Sequence, residues 1–315
     1  MNVEPTNATD ERTGEDSGAW GRAAALFLVV LGTSIVQPTA LVAVPFLVLV
    51  ALRGMRGGAV LAASVLATLV IVVGPRDDAW FVERAWAILV GGLFTAVTLA
   101  RPSWRLTSRS LAAVAGSIVV SGGFLALRSG AWQAIDWTIS DQLRGGYTTW
   151  LDAMTILRRG EPVSPALVSA IYRTVEAQIA VFPALVALES MAALAVAWWL
   201  YHRLVFREDR GISPLRTFRF NDQLVWLMVA GLSLITLRVG DGFTRLGANL
   251  AVFMGALYAL RGLGVVVFVS RGPTFFSATM FMLGFVFAAP VVIGFMVLFG
   301  IADSWLDLRE RVGSA

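Results

Sequence analysis

The sequence predicts an all-α fold, a polytopic transmembrane helix bundle with eight or nine spans and an amphipathic interfacial segment. Hydrophobic residues make up 57% of the 315 positions and charged residues only 15%. Soluble domains are typically about half apolar and about one quarter charged. Because the charges here lie mostly between long apolar blocks, the pattern is typical of helices that cross a lipid bilayer.

The residue types that are missing limit the function. The chain has no cysteine and a single histidine, His202, which excludes disulfides, zinc ribbons, iron–sulfur clusters and thiol nucleophiles. Lysine is absent too, so a Walker-type phosphate loop is excluded, and there is no Gly-x-Ser-x-Gly elbow. We expect no enzymatic activity, no cofactor and no metal. The 25 basic residues are all arginine, and their dispersal favours contact with lipid headgroups over nucleic acid.

Four segments divide the chain. Residues 1–19 are an acidic tail whose composition predicts disorder. Residues 20–127 form a first transmembrane helix group, residues 128–178 an amphipathic interfacial segment, and residues 179–315 a second transmembrane helix group. The apolar runs of the first group are 20–36, 39–52, 57–73, 80–100 and 111–127.

The first two apolar runs are interrupted at Gln37-Pro38, because proline removes a backbone donor and disfavours helix at the residue before it. Each run has about 15 residues, which is short for a full crossing. They are expected to form either two short tilted spans or one re-entrant pair.

The third run carries Ala59, Ala63 and Ala67 on one helix face. Small residues at this spacing allow helices to approach closely in lipid, where packing replaces the hydrophobic effect. These alanines are the candidate helix-packing or partner face. The alternative is that the spacing has no packing role and reflects only the high alanine content of the chain.

The segment 128–178 is amphipathic rather than continuously apolar. Tryptophan and aliphatic residues recur at helical spacing with charged residues between them, which is typical of a helix in the membrane interface. Gly145-Gly146 is expected to break this helix into two. The alternative is a small soluble subdomain packed on the bundle.

Ser164-Pro165 has the pattern of a helix cap followed by proline at the first helical position. The predicted helix continues to about residue 205 and is about 60 Å long, so its first part is expected to project from the membrane. Pro183 is expected to kink it. Three further runs follow, the first capped by Asn221 or Asp222, and a polar tail follows them; the runs are 223–237, 246–269 and 275–300, and the tail begins at residue 302.

Arginine placement predicts the orientation. The loops after the second, fourth, sixth and eighth runs are richer in arginine than the opposite loops, and by the positive-inside rule they face the cytoplasm. The N-terminus is then inside, and the segment 128–178 and the C-terminus are outside. The arginines of these loops are Arg53, Arg56, Arg101, Arg105, Arg109, Arg203, Arg207, Arg210, Arg216, Arg219 and Arg271.

Three polar residues inside apolar runs are the candidate cavity or ligand-binding residues. Glu189 lies within the sixth run, where it is either a substrate or proton site or a structural hydrogen bond between helices. Arg261 cannot discard its proton, so we expect it to pair with Glu189 or to bind an anionic group. Asn249 faces the same cavity or, alternatively, bonds to a neighbouring helix.

Four stretches of the sequence are similar to the YybS-like family of bacterial integral membrane proteins, whose activity is not established. They are residues 38–58 (PTALVAVPFLVLVALRGMRGG), 213–226 (SPLRTFRFNDQLVW), 249–268 (NLAVFMGALYALRGLGVVVF) and 300–311 (GIADSWLDLRER). Asn221-Asp222 stands where the family pattern has a proline. The resemblance implies a multi-pass protein of the bacterial inner (plasma) membrane.

That family is distantly similar to the substrate-binding subunits of energy-coupling-factor transporters, which meet their partner through Ala-x-x-x-Ala faces. Ala59, Ala63 and Ala67 match this pattern, whereas Ile71 stands where a tryptophan would complete it. The resemblance therefore implies a small-molecule binding or transport component with a midplane cavity, a small-molecule ligand and a membrane protein partner. The alternative is a non-transporting scaffold or assembly factor that acts through its interfacial segment and its arginine-rich cytoplasmic loop.

Overall fold

The computed structural model of the chain describes residues 23–28, 30–32, 34–54, 57–161, 163–206, 215–238, 240–270 and 275–313. Every regular element in these ranges is a helix, which confirms the predicted all-α fold class. The predicted acidic tail, the middle of the arginine-rich loop at 207–214 and Arg271 lie outside the described residues.

The chain folds as two compact units. Unit 1 comprises Met1–Ile179 and Leu185–Ile212. Within it, α1 is the most buried helix, and Leu41, Phe46 and Val50 are each at most 1% exposed. Helix α3 packs against α1, α4 and α5, and α2 packs against α1. The helices are α1 (Pro38–Arg53), α2 (Gly58–Val72), α3 (Asp78–Ala100), α4 (Leu106–Leu127), α5 (Ala131–Leu157) and most of α6 (Pro165–Tyr201), which continues as a π-helical turn at His202–Phe206.

Unit 2 comprises Ala180–Ala184 of α6 and Ser213–Ala315. Its central helix is α8, which packs against α7, α9, α10 and the first 3₁₀ turn, and which buries Met254, Leu257 and Tyr258 completely. The elements are 3₁₀ turns at Leu215–Thr217 and Asp222–Leu224, α7 (Val225–Leu237), α8 (Asp241–Val269), α9 (Phe275–Leu306) and α10 (Leu308–Gly313).

Two glycines allow α8 and α9 to approach with their backbones in contact. A Cβ atom on Gly262 would overlap the carbonyl oxygen of Met296, and one on Gly300 would overlap that of Tyr258. Small residues serve this purpose where helices pack without a hydrophobic driving force. The approach matters for the polar chemistry, because Arg261 and Asp303 lie beside these glycines.

Five helices among the described residues are long and apolar enough to cross a membrane. They lie at Asp78–Ala100, Leu106–Leu127, Pro165–Phe206, Asp241–Val269 and Phe287–Leu306. Shorter apolar helices occupy Ala23–Gly32, Pro38–Leu52, Gly58–Val72 and Asp222–Leu237. Each predicted apolar run is therefore mainly helical where the structure describes it, with the end of the first run at residues 34–36 as an exception, and five runs contain a helix with the length of a full span.

The expected break at Gly145-Gly146 is wrong, because α5 is one helix from Ala131 to Leu157. Glycine lowers helix stability by about 1 kcal/mol relative to alanine, but it can adopt helical dihedral angles. The periodic pattern of the flanking residues therefore continues through the pair. The long helix predicted after Ser164 is confirmed, and the Ser164 side chain accepts a hydrogen bond from the backbone of Leu167.

The last long helix extends beyond the apolar run that ends at Gly300. Helix α9 continues to Leu306, and α10 follows at Leu308–Gly313, so the expected polar tail is mostly helical. The cause is that Asp303 is fully buried and belongs to the core of unit 2. Helix α9 departs from helical geometry at Ala288, two residues before Pro290, as the clash of a proline ring with the preceding turn explains.

The alanine face of α2 is only partly buried. Ala67 is buried, whereas Ala63 is half-buried and Ala59 is exposed. The residues of α2 that pack into unit 1 are Val60, Ser64 and Ala67. The three alanines therefore do not form one packing face inside unit 1, and their role as a partner face stays a prediction.

Candidate functional site

Glu189 lies on α6 in unit 1 and is 2% exposed. Its Oε2 atom accepts a hydrogen bond from the backbone N–H of Ile35 at 3.3 Å. Ile35 belongs to the non-helical residues 34–37 that precede α1, at the interruption that Gln37-Pro38 predicts. The side chain thus supplies an acceptor to a backbone donor that no helix satisfies, as the predicted structural alternative requires, while its Oε1 atom is buried without a hydrogen-bond partner in the described residues.

The same interruption is joined to a second buried polar cluster. The Gln37 side-chain oxygen accepts a hydrogen bond from Arg84 Nη2 at 2.8 Å. Arg84 also forms a salt bridge with Glu83 at 2.8 Å, and Gln142 of α5 donates to Glu83 at 3.0 Å. These contacts tie α3 and α5 to the start of α1 and leave the charge of Arg84 balanced.

Asn249 bonds to the backbone of α6, which supports the alternative role predicted for it. Its Oδ1 atom accepts from the N–H of Ala184 at 2.9 Å, and its Nδ2 atom donates to the carbonyl of Ala180 at 3.0 Å. These two backbone groups are four residues apart and flank Pro183, whose ring disturbs the helical hydrogen bonds around it. The amide of Asn249 therefore supplies hydrogen-bond partners to the backbone groups of α6 on both sides of the proline.

Arg261 is paired with aspartates of unit 2, which corrects the expected pairing with Glu189. Its Nε atom donates to Asp303 Oδ2 at 2.9 Å, and its Nη1 atom forms a short contact with Asp222. Arg261 and Asp303 are 1% and 0% exposed. The physical reason is proximity, because the glycine contact of α8 with α9 brings the two side chains together, as described above.

Arg309 closes this buried network. It lies 3.6 Å from Asp303 and donates to the backbone carbonyls of Arg216, Phe218 and Arg261 at 2.9, 3.1 and 3.0 Å. Burial lowers the pKa of the Arg309 guanidinium, and the Asp303 carboxylate opposes that shift. Two arginines and two aspartates thus balance each other's charge.

Three of the four stretches singled out in the sequence meet in this network. The stretch 213–226 supplies Asp222, the stretch 249–268 supplies Arg261, and the stretch 300–311 supplies Asp303 and Arg309. Sequence reasoning located each stretch but not its partners. Asp303 was placed in a tail, so no signal paired it with an arginine 42 residues earlier.

A cavity of about 620 Å³ opens in unit 1 where several helices end, and we call it the Arg109 pocket. The last turns of α1 and α3, the first turn of α4 and the end of α6 form its walls. None of Glu189, Asn249 and Arg261 lines it. Its lining residues are Leu49, Leu52, Thr98, Leu99, Pro102, Arg109, Trp198, Tyr201, His202 and Phe206.

The aromatic wall of the Arg109 pocket is built by the end of α6. The ring of Trp198 lies 4.4 Å from that of His202, and His202 stacks on Phe206 at 5.0 Å. His202 and Phe206 belong to the π-helical turn, and such turns occur frequently at functional sites. Sequence analysis treated His202 as the only histidine and assigned it no site role.

The cation of the pocket is Arg109, which is only 8% exposed. Its guanidinium lies 5.2 Å from the Trp198 ring and donates from Nη2 to the carbonyl of Pro102. Its Nε atom and the Oγ1 atom of Thr98 are buried and have no hydrogen-bond partner in the described part of the chain. The sequence indicated Arg109 only as a cytoplasmic loop arginine, because the lining residues are scattered over four helix ends.

A scan of the chain against protein-family models matches none of them. Neither the curated proteins nor the solved structures give a match. The described helices alone therefore define the class of protein. It is an all-α chain with five helices long and apolar enough to cross a membrane.

Two replacements of Glu189 distinguish its role as a hydrogen-bond acceptor from the effect of its charge. Glu189→Ala leaves the Ile35 N–H without its acceptor, at a cost of about 1–3 kcal/mol, whereas Glu189→Gln keeps a side-chain oxygen and costs less. Thermal unfolding of the purified protein in detergent measures both. Glu176→Ala, which removes a half-exposed ion pair with Arg144, serves as the control. Equal losses for the alanine and glutamine variants would contradict the structural role.

A double-mutant cycle tests the buried pair of unit 2. Arg261→Met or Asp303→Leu alone leaves a buried charge without its main partner and is expected to cost about 3–5 kcal/mol. The double variant should lose less than the sum of the two. Arg219→Met is the matched control, because its partners Asp307 and Glu310 are 55% and 74% exposed and such pairs contribute about 0–1 kcal/mol. Strictly additive losses would show that the two side chains do not act as a pair.

Proposed function

We propose that this chain is an integral membrane protein that binds a small molecule in the Arg109 pocket, as a binding or transport component. The observation that carries the proposal is a cavity of about 620 Å³ with aromatic and aliphatic walls and a buried cation. Ligand pockets typically measure about 300–1,000 Å³ and combine apolar walls with a few polar groups. None of Glu189, Asn249 and Arg261, the residues of the predicted midplane cavity, lines this pocket.

The membrane arrangement is part of the proposal. The five long helices account for five spans of the proposed bundle. The shorter apolar helices supply the other three or four spans, which gives eight or nine spans in total. We place the arginine-rich helix ends in the cytoplasm by the positive-inside rule. The Arg109 pocket then opens at the cytoplasmic end of unit 1. The resemblance to the YybS-like family supports a location in the bacterial inner membrane.

Transport through this chain would need a partner, because the sequence offers no nucleotide site to supply energy. The exposed Ala59 and half-buried Ala63 of α2 leave part of the alanine face accessible to a membrane protein partner. Close helix contact at such faces is the usual role of small residues in lipid. We therefore propose α2 as the surface through which a transport partner binds.

One observation favours a scaffold as the second candidate function. Helix α5 exposes large apolar side chains, with Trp137 at 68%, Ile156 at 77% and Trp150 at 44%, beside charged residues such as Asp141. A helix of this kind binds to a membrane surface or to another protein. A scaffold would use α5 and the arginine-rich loop and would not need the Arg109 pocket, so the ligand test below separates the two functions.

The orientation is tested with single cysteines, since the chain has none of its own. Ser129→Cys lies in the exposed loop after α4, and Ser103→Cys in the exposed loop before it. A membrane-impermeant maleimide added to intact cells should label the cysteine at position 129, and should label that at position 103 only after permeabilisation. The opposite pattern would reverse the proposed orientation, and labelling of both in intact cells would contradict a membrane span at α4.

Ligand binding is tested by native mass spectrometry of the full-length protein purified in mild detergent. We expect a bound molecule in the wild type, and its loss in Thr98→Trp, which fills the pocket. Val119→Trp is the control, because Val119 is 72% exposed on the outer face of α4 and its replacement should leave the bound molecule in place. A protein without any bound molecule, or one that keeps it in Thr98→Trp, would contradict the proposal.

A further inference from the structure

The buried arginines of this protein are not equivalent. Four arginines are at most 8% exposed within the described part of the chain, namely Arg84, Arg109, Arg261 and Arg309. Arg84 pairs with Glu83, and Arg261 and Arg309 pair with Asp303. Arg109 has instead the carbonyl of Pro102 and the ring of Trp198. Its positive charge has no carboxylate partner among the described residues.

An uncompensated buried cation is costly, because neither a carbonyl nor an aromatic ring replaces the charge of a counter-ion. The cost falls when an anion is bound, and the free donors show where that anion fits. Arg109 Nε and Thr98 Oγ1 are both buried without a partner in the described residues, and both residues line the pocket. A carboxylate or phosphate placed beside these two side chains would offset the charge and offer both groups an acceptor.

Besides Arg109 and Thr98, the lining of the pocket contains two further polar side chains, Tyr201 and His202, and is otherwise apolar. Its mouth is apolar. Leu52 and Leu99, which line the pocket, are 49% and 63% exposed. Both lie in the last turn of their helices, α1 and α3, at the level where helices of a membrane protein meet the lipid headgroups. Exposed leucine at the opening favours a molecule that carries a hydrocarbon portion as well as a charged head.

We propose that the Arg109 pocket binds an anionic amphiphile, whose carboxylate or phosphate head is held by Arg109 Nε and Thr98 Oγ1 and whose hydrocarbon portion lies along the aromatic and leucine walls. This inference rests on the proposed function and gives the chemical class of the ligand. The ligand comes either from the bilayer, as an anionic phospholipid, or from a free single-chain amphiphile, because both present the same head and the same kind of chain.

Binding is measured by scintillation proximity with tritiated tetradecanoate and the full-length protein in detergent. In the wild type, unlabelled tetradecanoate and tetradecyl phosphate should displace the label. Tetradecanol, which has the chain without the charge, and inorganic phosphate, which has the charge without the chain, should not. If tetradecanol competes as well as tetradecanoate, binding does not require an anionic head and the proposal fails. If inorganic phosphate competes as well as tetradecyl phosphate, the hydrocarbon portion does not contribute to binding and the proposal fails.

The two donors are tested by conservative changes. Thr98→Val removes only the hydroxyl and should weaken binding several-fold, by about the value of one hydrogen bond to a charged group. Arg109→Gln should weaken it about tenfold to a hundredfold, and Arg109→Lys, which keeps the charge, should weaken it less. Arg105→Gln is the matched control, because Arg105 is exposed at the same end of α4 and its loss should leave affinity unchanged. Equal affinity of all four variants would overturn the assignment.

Competition by short-chain phosphatidylglycerol identifies the source. Displacement of the label by this lipid supports a bilayer phospholipid, and displacement by single-chain probes alone supports a free amphiphile. The outcomes also separate this inference from the proposed function. If a molecule that Thr98→Trp removes is found by native mass spectrometry but none of the anionic probes binds, the chain binds a ligand of another class and only this inference fails.

Discussion

Arginine keeps its proton in any environment that a protein offers, so an arginine buried in an apolar bundle requires a fixed partner. This constraint explains much of the polar architecture of the chain. In unit 2, Arg261 is buried between α8 and α9, and its demand for a carboxylate is met by Asp303. The close contact at Gly262 and Gly300 is what lets these two side chains reach each other. A side chain in place of either glycine would separate the helices and weaken this pair, leaving Arg261 with Asp222 and Asp303 with Arg309.

A second constraint is that every buried backbone group needs a hydrogen-bond partner. Two prolines show how the problem is solved, Pro38 at the start of α1 and Pro183 within α6. In each place a side chain from elsewhere supplies what the helix lacks. Glu189 accepts from the backbone of Ile35, and Asn249 bonds to the backbone on both sides of Pro183. Two polar residues that look like site residues in an apolar sequence thus make hydrogen bonds to backbone groups of other segments.

The apolar runs predicted the helices well. The mean hydropathy of a stretch as long as one membrane span depends only on residues that are neighbours in sequence. Helix ends were predicted less well. Helix α8 begins at Asp241 and α4 at Leu106, about one turn before their apolar runs, since the first turn of a helix tolerates polar residues. Partners of buried charges could not be predicted at all from local sequence. Asp303 lies 42 residues after Arg261, and only the packing of α8 on α9 shows that the two meet. The Arg109 pocket was missed for the same reason.

Charge balance separates the Asp303 network of unit 2 from the surroundings of Arg109. Unpartnered polar atoms alone do not, because Asp303 Oδ1 and Arg309 Nε are also buried without a hydrogen-bond partner in the described residues. Their network nonetheless contains two arginines and two aspartates, so no ligand charge is needed. At Arg109 the free donors coincide with an unbalanced cation and with a cavity large enough for a ligand. Binding of an anion, as proposed above, would balance the charge of this guanidinium, which the Pro102 carbonyl and the Trp198 ring do not.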